Sequence, residues 1–152
     1  MNEATIRDKD FLIEMSRNAN VIEDRPLPAA DSPDVLSQLP LDNDLAIIAK
    51  DSSNRPIGAI WTHYSNPPLH IDISGTQVPE IVISVDKNFR SQGVGSALVD
   101  EFILRAQDRF PEVCLNVHVR NPARKLYERK GFIEIGKGRG ELGILMTKSV
   151  KG

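Results

Sequence analysis

The stretch "FRSQGVGSALVD", Phe89 to Asp100, sets an arginine, two glycines and small side chains directly ahead of an apolar-periodic run. Val94, Ala97, Leu98, Phe102 and Ala106 follow at helical spacing, so a helix is expected to start within the glycines. Glycine there lets a ligand approach the backbone more closely than a Cβ would permit, although a tight turn would also accommodate it. The first N–H groups of a helix lack intrahelical partners and carry the positive end of its dipole, so such a start can seat an anion. Arg90 adds a charged donor fork, Gln92 an amide and Ser96 a hydroxyl.

Outward from this segment the pattern alternates. Upstream, "EIVISVD" is a β-branched run suited to a central strand, and "DLAIIAK", "DSSNRP" and "IGAIWTHY" read as strand, hairpin turn and returning strand. Nearer the start, "TIR" suggests a short strand. Phe11, Leu12, Met15 and Ala19 then keep helical spacing behind Asp8 or Asp10 as cap. A Pro-rich connection, "EDRPLPAADSP", leads to a second short helix with Ser32 as cap and Pro33 in its first turn. Downstream, "VCLNVHV" is a strand and "NPARKLYERKG" a helix that Asn121 can cap and Gly131 can close. "FIEIGKG" and "LGILMTK" form a final strand pair joined by "GKGRGE". The order implies a mixed α/β (α+β) domain, one domain over residues 1–152, with a crossover helix near its middle.

The bulk numbers exclude several classes. The chain has 152 residues, of which 40% are hydrophobic and 26% charged, the composition of an ordinary globular protein. A formal charge of −2 gives no basic field for nucleic acid or an anionic membrane. No apolar run reaches a membrane-spanning length, and the first residues show no signal-peptide pattern. A single cysteine, Cys114, excludes an internal disulfide and a multi-cysteine metal site; it lies in an apolar run and is expected to be a buried structural thiol. No metal is expected, and the setting expected is cytoplasmic.

Two other phosphate-binding motifs fail. No G-x-x-x-x-G-K-[ST] string occurs. A dinucleotide fingerprint would need glycine or alanine where Leu98 stands, directly after the first strand. What the residues do resemble is the GNAT N-acetyltransferase superfamily. Arg90, Gly93 and Gly95 fill its R/Q-x-x-G-x-G/A signature, and "NPARKLYERKGF" is similar to its second conserved-type segment, with Tyr127 six residues after Asn121 where many members have seven. The resemblance runs from about Asp44 to Lys148.

It implies the GNAT fold: a mixed, mostly antiparallel sheet of six to seven strands with about four helices, and a V-shaped splay between the fourth and fifth strands. It implies acetyl-CoA as co-substrate, with Arg90, Ser91, Gln92, Gly93, Val94, Gly95 and Ser96 at the pyrophosphate. Ile83, Ser84 and Val85 would lie along the pantetheine arm, and Asn121 and Tyr127 would also contact the cofactor. Tyr127 is the implied acid for the departing thiolate. Glu80 is the implied base for the acceptor amine, with His63, His70 and His118 as alternatives, and the backbone N–H near Val85 is the implied oxyanion donor.

The acceptor is open. A small-molecule amine is favoured over a protein N-terminus, and a homodimer is left open. "EDRPLP", "WTHYSNPPLHID" and "GKGRGE" are the expected acceptor lining, with Glu23, Asp24 and Asp72 as candidate attractors of a cationic amine. A catalytically silent acyl-CoA sensor and a ligand-free interaction module are the competing classes.

Overall fold

A computed structural model describes residues 1–19 and 27–151. Seven strands form one sheet: β1 (Asn2–Glu3), β2 (Ala46–Lys50), β3 (Pro56–His63), β4 (Glu80–Val85), β5 (Glu112–His118), β6 (Ile133–Lys137) and β7 (Gly143–Ser149). Four helices accompany them: α1 (Lys9–Ala19), α2 (Pro33–Leu36), α3 (Val94–Ala106) and α4 (Ala123–Arg129). The strand order is β1-β2-β3-β4-β5-β7-β6. β1/β2, β2/β3, β5/β7 and β6/β7 pair antiparallel, while β4 and β5 pair parallel with Glu80 opposite Cys114. A parallel pair cannot be closed by a tight turn, and α3 is the crossover that joins this one. This is the expected fold, and the parallel pair is where the splay was expected.

The chain divides into two compact units, residues 1–63 with 82–102, and residues 64–81 with 103–152. In the first, Leu12, Met15, Ile48, Ala59, Trp61 and Val82 form a buried cluster. Ser16, also buried, donates its hydroxyl to the Val35 carbonyl at 2.7 Å and ties α1 to α2. In the second, Val78, Cys114 and Leu145 are buried together, with Leu69 packed against them. Among the described residues no helix is long and apolar enough to cross a membrane.

Three local expectations change. "TIR" is not a strand: β1 lies at Asn2–Glu3, and Ile6–Asp8 is a 3-10 turn leading into α1. Thr5 rather than Asp8 or Asp10 caps that turn. Its hydroxyl accepts from Arg7 N, and Asp8 returns the contact by accepting from Thr5 N at 2.8 Å. On α3, Ala97 is exposed and Val99 is buried beside Leu98 and Phe102.

Gly58 sets how closely α3 lies on the sheet. A Cβ there would meet Leu98 Cδ1 at 3.1 Å, and the Ser84 carbonyl and Val94 Cγ1 at 3.3 Å. Gly58→Val should therefore overpack this layer and cost ~1–3 kcal/mol. The measured outcome is a fall in Tm of several degrees, roughly 2–4 °C per kcal/mol for a chain of this size.

Candidate active site

The glycine segment, all in the first unit, begins where β4 ends. Asp86 N donates to the Ile57 carbonyl at 2.8 Å, and the Asp86 carboxylate accepts from Asn88 N at 2.9 Å, so the chain leaves the sheet through a tight 3-10 turn at Lys87–Phe89. Ser91 and Gly93 then take positive φ, 64° and 82°. Alternation of φ sign along a loop is the backbone pattern of anion nests. The first intrahelical bond at the start of α3 is Ala97 N to the Gly93 carbonyl, so the N–H groups of Val94, Gly95 and Ser96 come ahead of the ladder. Nothing stands within 4 Å of where a Gly93 Cβ would be. A bare, exposed helix start is thus built from the expected residues.

Two side chains of that set are engaged locally. Arg90 Nε donates to the Val85 carbonyl at 3.3 Å, and Gln92 Nε2 donates to the Asn88 carbonyl at 3.3 Å. Of the implied pantetheine edge, Ser84 is buried and Ile83 and Val85 are half-buried at the end of β4.

In the second unit, α4 ends in a Schellman motif. Gly131 takes φ 94°, its N–H donates to the Glu128 carbonyl, and Phe132 N–H donates to the Tyr127 carbonyl. The hydrophobic contact that completes this motif is the Tyr127–Phe132 ring pair, with centroids 5.9 Å apart. The Y…GF spacing therefore has a mechanical meaning: the left-handed glycine folds Phe132 back onto Tyr127. Tyr127 is buried, and burial raises the pKa of its hydroxyl, which keeps its proton at neutral pH. Asn121 lies one residue ahead of Pro122, the N-cap of α4; its side-chain oxygen accepts from Ala123 N at 2.9 Å, which leaves its amide hydrogens for another partner.

Glu80 is also in the second unit, and it is held by Arg139 and Ser65. Arg139 Nη1 and Nη2 donate to its two oxygens at 2.7 and 2.8 Å, and Ser65 Oγ donates at 2.9 Å. Both carboxylate oxygens are occupied by the guanidinium, so the expected base role would need Arg139 to move off it. The pairing holds the guanidinium charged, with the Glu80 hydrogen bond as the main cause. Arg139 and Ser65 were not singled out by residue in the sequence, because a separation of 59 positions between Glu80 and Arg139 carries no local signal.

The remaining expected lining residues separate. Trp61 is fully buried and donates Nε1 to the Gln38 carbonyl at 2.6 Å; His63 is buried and Tyr64 exposed. His118 is exposed, with Nδ1 accepting from Arg120 N, and His70 is 3.9 Å from Glu112. Asp72 accepts from Ser74 and Thr76 within its own turn, which lowers its pKa and spends the carboxylate on the loop. Glu23 and Asp24 lie outside the described residues.

The sequence matches the acetyltransferase (GNAT) domain over residues 42–134, more than half of the chain. The protein belongs to the GNAT acetyltransferase family. Solved structures share its fold at low identity. A GNAT-family acetyltransferase from Streptococcus pneumoniae is 20% identical with a TM-score of 0.67, covering 97% of each chain. A ribosomal-protein-alanine N-acetyltransferase from Brucella melitensis is 20% identical with a TM-score of 0.72, covering 97% of this chain and 98% of that one. A phosphinothricin acetyltransferase from Sinorhizobium meliloti, solved in complex with AcCoA, is 17% identical with a TM-score of 0.73, covering 99% and 87%. No curated protein matches the chain.

In this GNAT protein Cys114 is not placed for nucleophilic chemistry. Burial, reinforced by the charges of Glu80 and Glu112, pushes its thiol up to about 12. The folded protein should resist thiol alkylation at pH 8 and react only when unfolded, read by mass after timed labelling. Unfolded, the thiol loses its proton near pH 9, whereas the folded one keeps it until about pH 12. The unfolded state then binds fewer protons, so this group's contribution to stability should decline across that window.

Proposed function

We propose that the protein is an acetyl-CoA-dependent N-acetyltransferase that seats the co-substrate's diphosphate on the start of α3. The observation that carries this reading is the backbone of 91–96: two left-handed residues, open space over Gly93, and three N–H groups ahead of the first helical bond. A diphosphate needs several donors at once, and amides fixed by a helix offer them without further ordering. Arg90 adds its fork by turning from the Val85 carbonyl, which lies close enough to hold it in reserve. The pantetheine arm then pairs as an added strand with the main chain of Ile83, Ser84 and Val85, beyond the Glu80–Cys114 pairing along β4. The Asn121 amide is a further donor to it.

In this reading the acceptor amine attacks the thioester directly, in a ternary complex, and Tyr127 donates to the departing sulfur. A thiolate with a pKa of ~8.5 is already a fair leaving group, so the acid is worth ~10²-fold or less. Burial raises the pKa of Tyr127, so its hydroxyl is protonated at neutral pH and has a hydrogen to offer the sulfur. Glu80 stays paired with Arg139, and the amine reaches the thioester already neutral. An amine of pKa ~10 is mostly ammonium at pH 7, so kcat/KM should rise about tenfold per pH unit until the acceptor's own pKa is reached.

The reading is tested first by binding. Acetyl-CoA at 100 times its Kd should stabilise the protein by about 2.7 kcal/mol in a melting experiment, and Gly93→Asp should remove that shift while the variant still folds. Unaltered stabilisation in the aspartate variant would reject the phosphate seat. An amine panel with thiol detection then separates an enzyme from a silent acyl-CoA sensor, which releases no CoA. Tyr127→Phe should lower kcat by roughly tenfold to a hundredfold and leave acetyl-CoA affinity within about twofold.

A further inference from the structure

The pairing of Glu80 with Arg139 is more closely built than stability requires. The carboxylate side chain is only 6% exposed while its guanidinium partner is 42% exposed, an arrangement in which desolvation offsets much of the attraction. Yet Arg139 is fixed at both ends. Its backbone N–H donates to Asn116 Oδ1 at 2.7 Å, and its head makes a two-pronged contact with Glu80, itself steadied by Ser65. The turn around it closes through Gly138 N to the Gly143 carbonyl at 2.9 Å. A Cβ on Gly138 would collide with Asn116 Oδ1, and one on Gly143 with the Arg139 backbone, so both positions require glycine to bring the chain this close.

A guanidinium has five N–H donors in a rigid fork. Glu80 takes one hydrogen from each terminal nitrogen, across the end of the fork. The side edge, Nε–H with the neighbouring terminal hydrogen, has no partner among the described residues. Such an edge, on a side chain that is 42% exposed, matches a planar two-oxygen group. Because Glu80 balances the charge, the pair as a whole is neutral and suits a singly charged anion better than a phosphate.

We propose that Arg139 is a specificity-determining residue whose side edge binds a carboxylate of the acceptor, so that the acceptor is an amine that also carries a carboxylate. Glu80, Ser65 and Asn116 are its positioning residues. The assignment rests on the acetyl-transfer reading above. Glu80 opens β4, the same strand whose residues Ile83 to Val85 that reading assigns to the pantetheine arm.

The test is a matched series of α-amino acids and their carboxamides, each assayed with acetyl-CoA by thiol release. With kcat/KM referred to the neutral fraction of each amine, each carboxylate should exceed its carboxamide by about tenfold to a hundredfold, the range for hydrogen bonds to a charged group. Arg139→Gln should bring that ratio near one, with the loss in KM. Glu80→Gln should lower it in the same way, since it loosens the same guanidinium. Arg139→Lys should restore only part of it, and it carries the comparison if the glutamine variant does not fold. A wild-type protein that turns over no carboxylate member, that accepts carboxamides equally well, or whose preference survives in Arg139→Gln and Arg139→Lys would overturn the assignment. If acetyl-CoA does not raise the wild-type Tm, the acetyl-transfer reading itself has failed. A normal Tm shift without carboxylate preference sinks only the role of Arg139.

Discussion

Two strands that run in the same direction cannot be joined by a short turn, and the structure is organised around such a pair. β4 and β5 pair parallel, so the chain must leave the end of β4, cross over as α3 and return. The geometry of that exit puts a helix N-terminus beside the end of a strand. The Asp86 turn, the left-handed residues Ser91 and Gly93 and the unladdered amides of Val94 to Ser96 are all consequences of making the exit compact. Gly58 completes it by letting α3 settle closely on the strands beneath. The proposed anion seat would therefore be part of the scaffold and need no separate ordering step.

The second unit concentrates its chemistry in side chains whose neighbours restrict them. Tyr127 is held by a helix-terminating motif in which backbone and ring contacts agree. Glu80 and Arg139 restrain each other, and Asn116 fixes the backbone from which Arg139 projects. Buried ion pairs of this kind contribute little net stability, because desolvation offsets the attraction, but they fix direction well. Direction is what a recognition residue needs. The nearby Cys114 illustrates the opposite outcome: without a positive partner of its own, burial keeps it a neutral thiol.

How much of this was legible in the sequence depends on the distance over which each signal acts. The start of α3 was readable because glycines, donors and helical periodicity lie within a dozen residues. The closure of α4 was equally readable, since Asn121, Tyr127, Gly131 and Phe132 interact through neighbouring backbone groups. The β-branched runs announced β2, β3, β4 and β5 for the same reason. Readings failed where a local pattern was compatible with two arrangements. Thr5 and Asp8 formed a capping box where a strand was expected.

The sequence by itself determined the family, the order of elements and the exposed glycine-rich start of α3 that is proposed to seat an anion, because each rests on contacts between near neighbours in the chain. Only the tertiary structure decided what Glu80 faces. Its partner stands 59 residues away on the turn between the last two strands, and Ser65 reaches the same oxygen from a different loop. A charge pattern in one dimension cannot say which opposite charge will share a desolvated site; that follows from the register of the strands and the closeness that Gly138 and Gly143 permit.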